Sequence, residues 1–465
     1  MSQLKLCLHT QTPYLRFLDE NAPPGWAPAL SELAEGVDYE KSPGGVTRMM
    51  HGLLHRLLAK GRLRDATWMS LARGGPSRYA LAPRLGVEHV QLAAKTLIPY
   101  AAAKGALWDE VHGTLGRPAL PEHRVARGLE ALSIAMARRA LALHKEEPFD
   151  VFYVHDFQLT PLAQFLPAGV PRVFRWHIPV PETPTPLLAG AVKGLNRYDA
   201  VIVSTQAYAA RLQALGVTVP IHPLYPYVDE SRKRVVTAED VHAFNARWGL
   251  DPGDPVFLLV ARLDPIKSQD VALRAMARLA AVAPRARLLV VGGGGFSGDR
   301  KAGLGMVAFS DWEASLRDLA RRLGIERSVV FTGNLPDGEL DVAYTRARAL
   351  LLPSRLEGFG LTAIEGWLYG RPVVVSRGAG VSELVREGRN GFTHAPGDEE
   401  VLADHLLFLA ENPEVARHLG REGRATAQAC HLGPGTEAVW RVLEGAVRGA
   451  ERARGPVGLP RREPL

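Results

Sequence analysis

Apolar residues along this chain gather in short unbroken runs. LKLCLH (4–9), VFYVHD (151–156), RVFRWHI (172–178) and AVIVST (200–205) fall in the first half. VFLLVAR (256–262), RLLVVGG (287–293), VVFTG (329–333), ALLLPS (349–354) and PVVVS (372–376) fall in the second. Runs of Val, Leu and Ile without a polar alternate predict strands buried on both faces, hence parallel sheet. Helical patterns such as 122–145 and 270–283 lie between them. This β-α-β rhythm predicts an α/β fold of doubly wound layers. It occurs twice, on either side of a polar and helical stretch at 229–250, with DESRKRVV (229–236) as the linker. The expected division is an N-terminal Rossmann-like domain at 1–235, a second at 236–440, and a C-terminal helix with a basic tail at 441–465. Residues 13–43 are proline-rich and loop-like, SPGGVTRMMHGLLHRLL is a Gly-Gly turn opening a helix, and 62–120 reads as an irregular helical insertion.

Composition narrows the classes. At 465 residues the chain exceeds one ordinary core, which agrees with two domains. Hydrophobic content of 46% and charged content of 23% exclude a disordered chain. No apolar run is long enough for a membrane helix, and MSQLKLCLHT reads as a first strand, not a signal peptide, so the cytoplasm is the default compartment. Cys7 and Cys430 stand too far apart in sequence to suggest a disulfide framework or a cysteine zinc site. The net charge of +7 is spread along the chain without a basic and aromatic cluster, so no nucleic-acid partner is expected. Oligomeric state is not legible.

The densest chemistry is R355-L-E-G-F-G-L-T-A-I-E365, between the strand ALLLPS and a helix. Glu357 falls on the strand-to-helix loop and Glu365 one turn inside the helix. Gly358 and Gly360, flanking Phe359, allow close approach of backbone to a ligand. The amides near Gly360, Leu361 and Thr362 open the helix, an end that favours phosphate, although Thr362 could instead simply cap it. Ligands of open α/β sheets bind beyond the carboxyl ends of the strands, where this loop lies. Arg262 and Lys267 in VARLDPIKSQD follow another strand. A diphosphate calls for such a pair, one planar fork and one point charge. With only ten lysines among 56 basic residues, a lysine at 267 is mildly unexpected from composition. GGGGFSGD (292–299) lacks the βαβ context and acidic partner of a dinucleotide loop and reads as a turn at a ligand cleft. In the first half, VHDFQLTPL sets His155 and Asp156 at one strand end and RWHIP sets His177 at another. Histidines at successive strand ends facing a cleft point to function rather than packing.

Residues 256–410 resemble the donor domain of GT-B glycosyltransferases, in particular the family 4 retaining enzymes, through VARLDPIK, FTGNLP, LLLPSRLEGFGLTAIEGWLYGRPVV and the NGF at 390–392. The resemblance implies two Rossmann-like domains facing across a cleft. It implies that Arg262 and Lys267 hold the diphosphate of a nucleotide sugar, that Glu365 accepts from ribose hydroxyls, and that Glu357 binds a hydroxyl of the transferred hexose. The backbone at Asn334 and Leu335 would face the nucleobase. The histidine segments resemble those of trehalose-forming synthases, which implies contact with the donor sugar and the reaction centre. Gly44 and Gly45 resemble the glycine pair that admits donor phosphate or acceptor.

The expected activity is transfer of a hexose, glucose first among candidates, with retention of configuration to a small acceptor such as a sugar or polyol. The acceptor hydroxyl would attack on the face from which the diphosphate leaves. The leaving oxygen would take its proton while Arg262 and Lys267 neutralise the growing charge. Asp156 would orient His155 or meet the acceptor, and His177 would bind the sugar. With no Asp-x-Asp motif, no metal site and no obligatory cofactor are expected, though Mg could stimulate. A disaccharide phosphorylase or a nucleotide-sugar epimerase on the same fold is the alternative activity, and a sugar-nucleotide sensor without turnover is the non-enzymatic one. Glucose, glycerate, glycerol derivatives and sugar phosphates all stay open as acceptors.

Overall fold

The structure is a computed structural model that describes residues 3–19, 22–23, 25–42, 44–113, 120–183, 185–293 and 310–454. The first half runs β1 (Leu4–His9), β2 (Leu15–Phe17), β3 (Tyr39–Lys41), α1 (Gly45–Ala59), β4 (Leu63–Leu71), β5 (Arg78–Ala82), β6 (Leu85–Val90), α2 (Ala94–His112), α3 (Glu122–Glu146), β7 (Val151–His155), β8 (Arg172–Arg175), α4 (Pro186–Lys193), β9 (Ala200–Val203), α5 (Gln206–Ala214) and β10 (Ile221–Pro223). The second runs α6 (Ala238–Trp248), β11 (Val256–Val260), α7 (Gln269–Val282), β12 (Arg287–Val291), α8 (Ser310–Arg322), β13 (Val329–Gly333), α9 (Asp337–Arg346), β14 (Ala349–Leu352), α10 (Leu361–Leu368), β15 (Val373–Ser376), β16 (Gly391–His394), α11 (Glu399–Glu411), α12 (Pro413–Ala427) and α13 (Leu432–Arg454).

Two sheets result. The first has eight strands in the order β10-β9-β8-β7-β1-β4-β6-β5, parallel except for β5 on β6. The second has six parallel strands in the order β13-β12-β11-β14-β15-β16. Both faces of each are covered. In β1, Cys7 faces the core under α2 and α3, while Leu6 and Leu8 face the core under α1 and α13. Phe152 and Val154 likewise part from Val151 and Tyr153 along β7. This two-sided burial explains why the strands read as unbroken apolar runs.

Two expectations need correction. Residues 62–120 are not a helical insertion: they supply β4, β5 and β6, with only α2 helical. β5 is an edge strand with burial alternating along RYALA, so its sequence lacks a continuous apolar run. The boundary expected at 440 falls inside α13. Val439, Trp440, Leu443 and Val447 of that helix pack with Met50, Leu53, Leu54 and Leu57 of α1, so the chain returns to close the first core. Lys60 and Arg62 bind Glu437 of this helix at 2.5 and 2.8 Å. Residues 455–465, including the end of the expected tail, lie outside the described residues.

Candidate active site

The loops after β11 and β14 are laced together, since the Arg355 amide donates to the Ile266 carbonyl at 2.9 Å. A one-turn 3-10 helix at 265–267 opens on Asp264, whose carboxylate accepts from the Ile266 amide at 3.1 Å. This turn presents Lys267, whose ammonium forms a close ion pair with Glu357. Arg262 reaches Asp264 at 3.7 Å. His112, at the end of α2, faces the same group. Burial pushes it down to about 4, and the nearby Lys267 and Arg262 add to the lowering while Glu357 opposes it. Arg262, Lys267, Glu357 and His112 therefore form one constellation, with His112 contributed by the first half.

Several contacts bring the halves together. Arg355 donates to the carbonyls of His112 and Gly113 at 3.0 and 2.7 Å. Tyr208 donates to the Glu357 carbonyl at 3.0 Å. A Cβ on Gly358 would overlap the His177 carbonyl, so only glycine fits there. A Cβ on Gly45 would lie 2.5 Å from Leu361. Since Gly45 begins α1 and Leu361 begins α10, the N-terminal ends of two helices meet across the cleft, and both favour an anion between them.

Gly360 is the N-cap of α10 at φ 107°, a backbone state that suits glycine; a side chain there would also strike Leu352. Thr362 does not cap the helix, as it sits within the first turn, and its outward amide belongs to that helix end. Phe359 is buried against Tyr225, anchoring the loop. Glu365 lies one turn along, where Tyr344 donates to it at 2.5 Å. Desolvation raises its carboxyl above the ordinary range, opposed by the Tyr344 hydroxyl and by Arg48 from α1. Arg48 also pairs with Asp337 at 3.2 Å. Asn334 accepts from the Gly293 amide at 2.8 Å, tying the β13 loop to the β12 loop, and Leu335 packs on the core below. Residues 294–299 of the glycine-rich stretch lie outside the described residues.

In the first half, strand register sets His155 of β7 opposite Arg175 of β8. His177, two residues further, meets His155 with a 2.8 Å Nδ1···Nε2 hydrogen bond, their rings stacked 5.1 Å apart. Desolvation lowers both well below the ordinary histidine value. His155 is lowered further by His177, Arg175 and His9, and His177 by Arg175. The pair is thus neutral near pH 7, one ring donating and the other accepting. Asp156 does not orient His155. At φ 73° it turns its carboxylate onto the Gln11 amide at 3.2 Å, while Lys104 holds the Gln11 side chain at 2.9 Å. Burial raises its carboxyl, opposed by the Gln11 N–H and Lys104.

Tyr344, His112, Arg48 and Tyr208 are site residues that sequence reasoning did not single out, and Arg355 stood in the quoted motif without a role. Among the described residues, no three His, Cys, Asp or Glu side chains converge as a metal site requires. None of their helices is long and apolar enough to cross a membrane.

Two doubly wound domains facing across a cleft of cations and helix N-termini define a GT-B protein. The family described as Glycosyl transferases group 1 matches residues 240–426. Over 259 residues the chain is 36% identical to "D-inositol 3-phosphate glycosyltransferase 2" of Catenulispora acidiphila, covering 53% of this chain and 58% of that protein. Over 325 residues it is 31% identical to "D-inositol 3-phosphate glycosyltransferase" of Stackebrandtia nassauensis, covering 64% and 70%. The chain thus spans little more than half the length of the first of these relatives. A solved structure described as "Trehalose-6-phosphate from E. coli bound with UDP-2-fluoro glucose" shares the fold with a TM-score of 0.73 at 15% identity, over 95% of this chain and 99% of that one. The chain belongs to the group 1 glycosyl transferases.

Proposed function

We propose that this protein transfers a hexose, glucose first among candidates, from a nucleoside diphosphate sugar to a small hydroxyl acceptor with retention of configuration. The observation that carries this reading is the meeting of the α1 and α10 N-termini beside Lys267, Arg262 and Glu357. A diphosphate placed there is met by two cations and two helix ends. In this reading Lys267 exchanges its partner Glu357 for the diphosphate when donor binds, which frees Glu357 for a sugar hydroxyl. Glu365, steadied by Tyr344, takes the ribose hydroxyls, and Asn334 and Leu335 border the nucleobase. The neutral, partly exposed His177 offers its free ring nitrogen to the sugar, and the fully buried His155 fixes its tautomer through their mutual hydrogen bond, a task an imidazolium could not perform as well. The acceptor hydroxyl attacks the anomeric carbon as the C–O bond to the diphosphate breaks, and its proton passes to the leaving oxygen. Arg262 and Lys267 neutralise that oxygen's charge, so the step needs no protein nucleophile and no metal.

The relatives' names support a uridine nucleotide as first donor and a phosphorylated polyol or sugar as first acceptor. A matrix of UDP-, ADP- and GDP-sugars against glucose, glucose 6-phosphate, inositol 3-phosphate and glycerate, read by nucleoside diphosphate release with EDTA present, tests it. We expect release with at least one acceptor and a product retaining the donor's anomeric configuration by NMR. Inverted product, or release of hexose 1-phosphate from a disaccharide plus phosphate without any nucleotide dependence, would overturn it.

A further inference from the structure

Helix α10 has a second end, away from the cleft. Gly370 closes it at φ 68° and Arg371 follows, just before β15. Arg348 stands likewise just before β14, and Arg346 ends α9. On α12, Gly420 packs so closely on the Gly370 carbonyl that a Cβ would overlap it. Arg417 and Arg424, three residues before and four after, share that face of α12. Lys233 of the interdomain linker reaches the same place, donating to the Leu368 carbonyl at 3.1 Å and lying 4.6 Å over the Tyr369 ring.

The partners of this cluster are mostly neutral. Arg346 donates to Asn245 Oδ1 and the Asp251 carbonyl at 2.9 and 2.7 Å, and Arg348 to the Leu409 carbonyl at 3.3 Å. The neighbouring carboxylates are engaged elsewhere or locally: Asp254 with Arg285 and Arg287, Asp341 with Tyr369 and Arg234, and Glu414 with Arg417. Arg371 has a buried Nε with no hydrogen-bond partner among the described residues. The crowding registers electrostatically. Burial, then Arg348 and Arg346, push the Arg371 guanidinium down to about 10, and burial, then Arg424 and Arg371, lower Lys233. Helix C-terminal carbonyls account for the positions of Lys233 and Arg348. They do not account for Arg371 and Arg424 being drawn to the same spot.

We propose that this cluster is a second anion site that takes a phosphate-bearing group, at the amino ends of the second sheet's strands, opposite the carboxyl ends that border the diphosphate cleft. Phosphate oxygens accept in pairs from the planar forks of Arg348 and Arg371, with Lys233 as a point charge. Arg417 and Arg424 form its outer rim.

Calorimetric titration of the full chain with inorganic tripolyphosphate tests the site. The probe also suits the cleft, so the titration is repeated with Arg262→Ala and Lys267→Ala combined. We expect binding to persist in that background, to weaken with salt, and to fall about tenfold or more when Arg348→Gln and Arg371→Gln are added. Arg348→Lys with Arg371→Lys, which keeps both charges, should lose less and guards against a folding defect. Loss of all binding in the Arg262→Ala, Lys267→Ala protein, or binding unchanged by the Gln pair, would overturn the proposal. Co-sedimentation with phosphatidylcholine vesicles containing phosphatidic acid distinguishes the source. Sedimentation that needs Arg348 and Arg371 assigns a lipid headgroup, and tripolyphosphate binding without it assigns a free phosphorylated molecule.

Discussion

The two halves share a doubly wound architecture yet build their sides of the cleft differently. The second half concentrates its chemistry in two loops, with Arg262 and Lys267 on one and Glu357 to Glu365 on the other, held together by a backbone hydrogen bond. The first half disperses its groups over strand and helix ends, with His155 and His177 from neighbouring strands, Asp156 turned onto Gln11, His112 at the end of α2 and Arg48 on α1. Its histidines are desolvated and neutral, with Arg48 as its exposed cation, whereas Arg262, Lys267 and Glu357 on the second half's loops are charged and partly exposed, Glu365 alone being desolvated there. In the proposed reading, one side holds the charged part of the donor and the other surrounds its neutral sugar.

The sharpest way to break that comparison is on the charged side. Lys267→Ala should lower turnover about 10²–10³-fold, the cost of losing one preorganised group at a developing negative charge. Steady-state nucleoside diphosphate release measures it, and an unchanged rate would remove Lys267 from the site. Glu365→Ala should weaken donor binding about 10- to 100-fold, as for loss of hydrogen bonds to a charged acceptor. Donor titration reads this, and normal affinity would make Glu365 a packing residue.

The neutral side should show itself through acid. His9 is held down to about 3, His89 and His112 to about 4, and His155 and His177 well below the ordinary value, in each case chiefly by burial. The unfolded chain binds protons at these sites near pH 6.5 and the folded one does not. Stability is therefore full above about pH 6.5 and falls as pH drops toward 4, by about 1.4 kcal/mol per pH unit for each histidine. Asp156 and Glu365, raised by burial, act oppositely as they protonate. Denaturant melts from pH 7 to pH 4.5 should show the loss, and tryptophan probes in the first half should lead. Flat stability over that range would contradict the neutral, buried pair. The smallest effect belongs to Tyr344→Phe, which removes one hydrogen bond to Glu365 and should weaken donor binding about three- to tenfold.

The same contrast explains what was legible in the sequence. The loops after β11 and β14 were readable because ligand groups, glycines and a helix start are contiguous, and two-sided burial writes each strand as an apolar run. The edge strand β5 carries no such run, because one edge and part of a face are open, and its inner neighbour β6 interrupts its apolar residues with Gly86, Glu88 and His89. The helical stripe of α13 is visible in its residues, but nothing local says which sheet it covers. Partners such as Tyr344 for Glu365 and Gln11 for Asp156 depend on elements distant in the chain, so no spacing announces them. The pairing of His155 with His177 follows from adjacent strand register, which topology alone decides.

The central claim is that Arg262 and Lys267 grip a diphosphate in the cleft. Titrating UDP and UMP into the wild-type protein and into the Arg262→Ala, Lys267→Ala variant tests it most directly. We expect UDP affinity to fall about 100-fold or more while UMP affinity changes little, since the two cations serve the second phosphate. Equal losses for both nucleotides, or no loss for UDP, would contradict it.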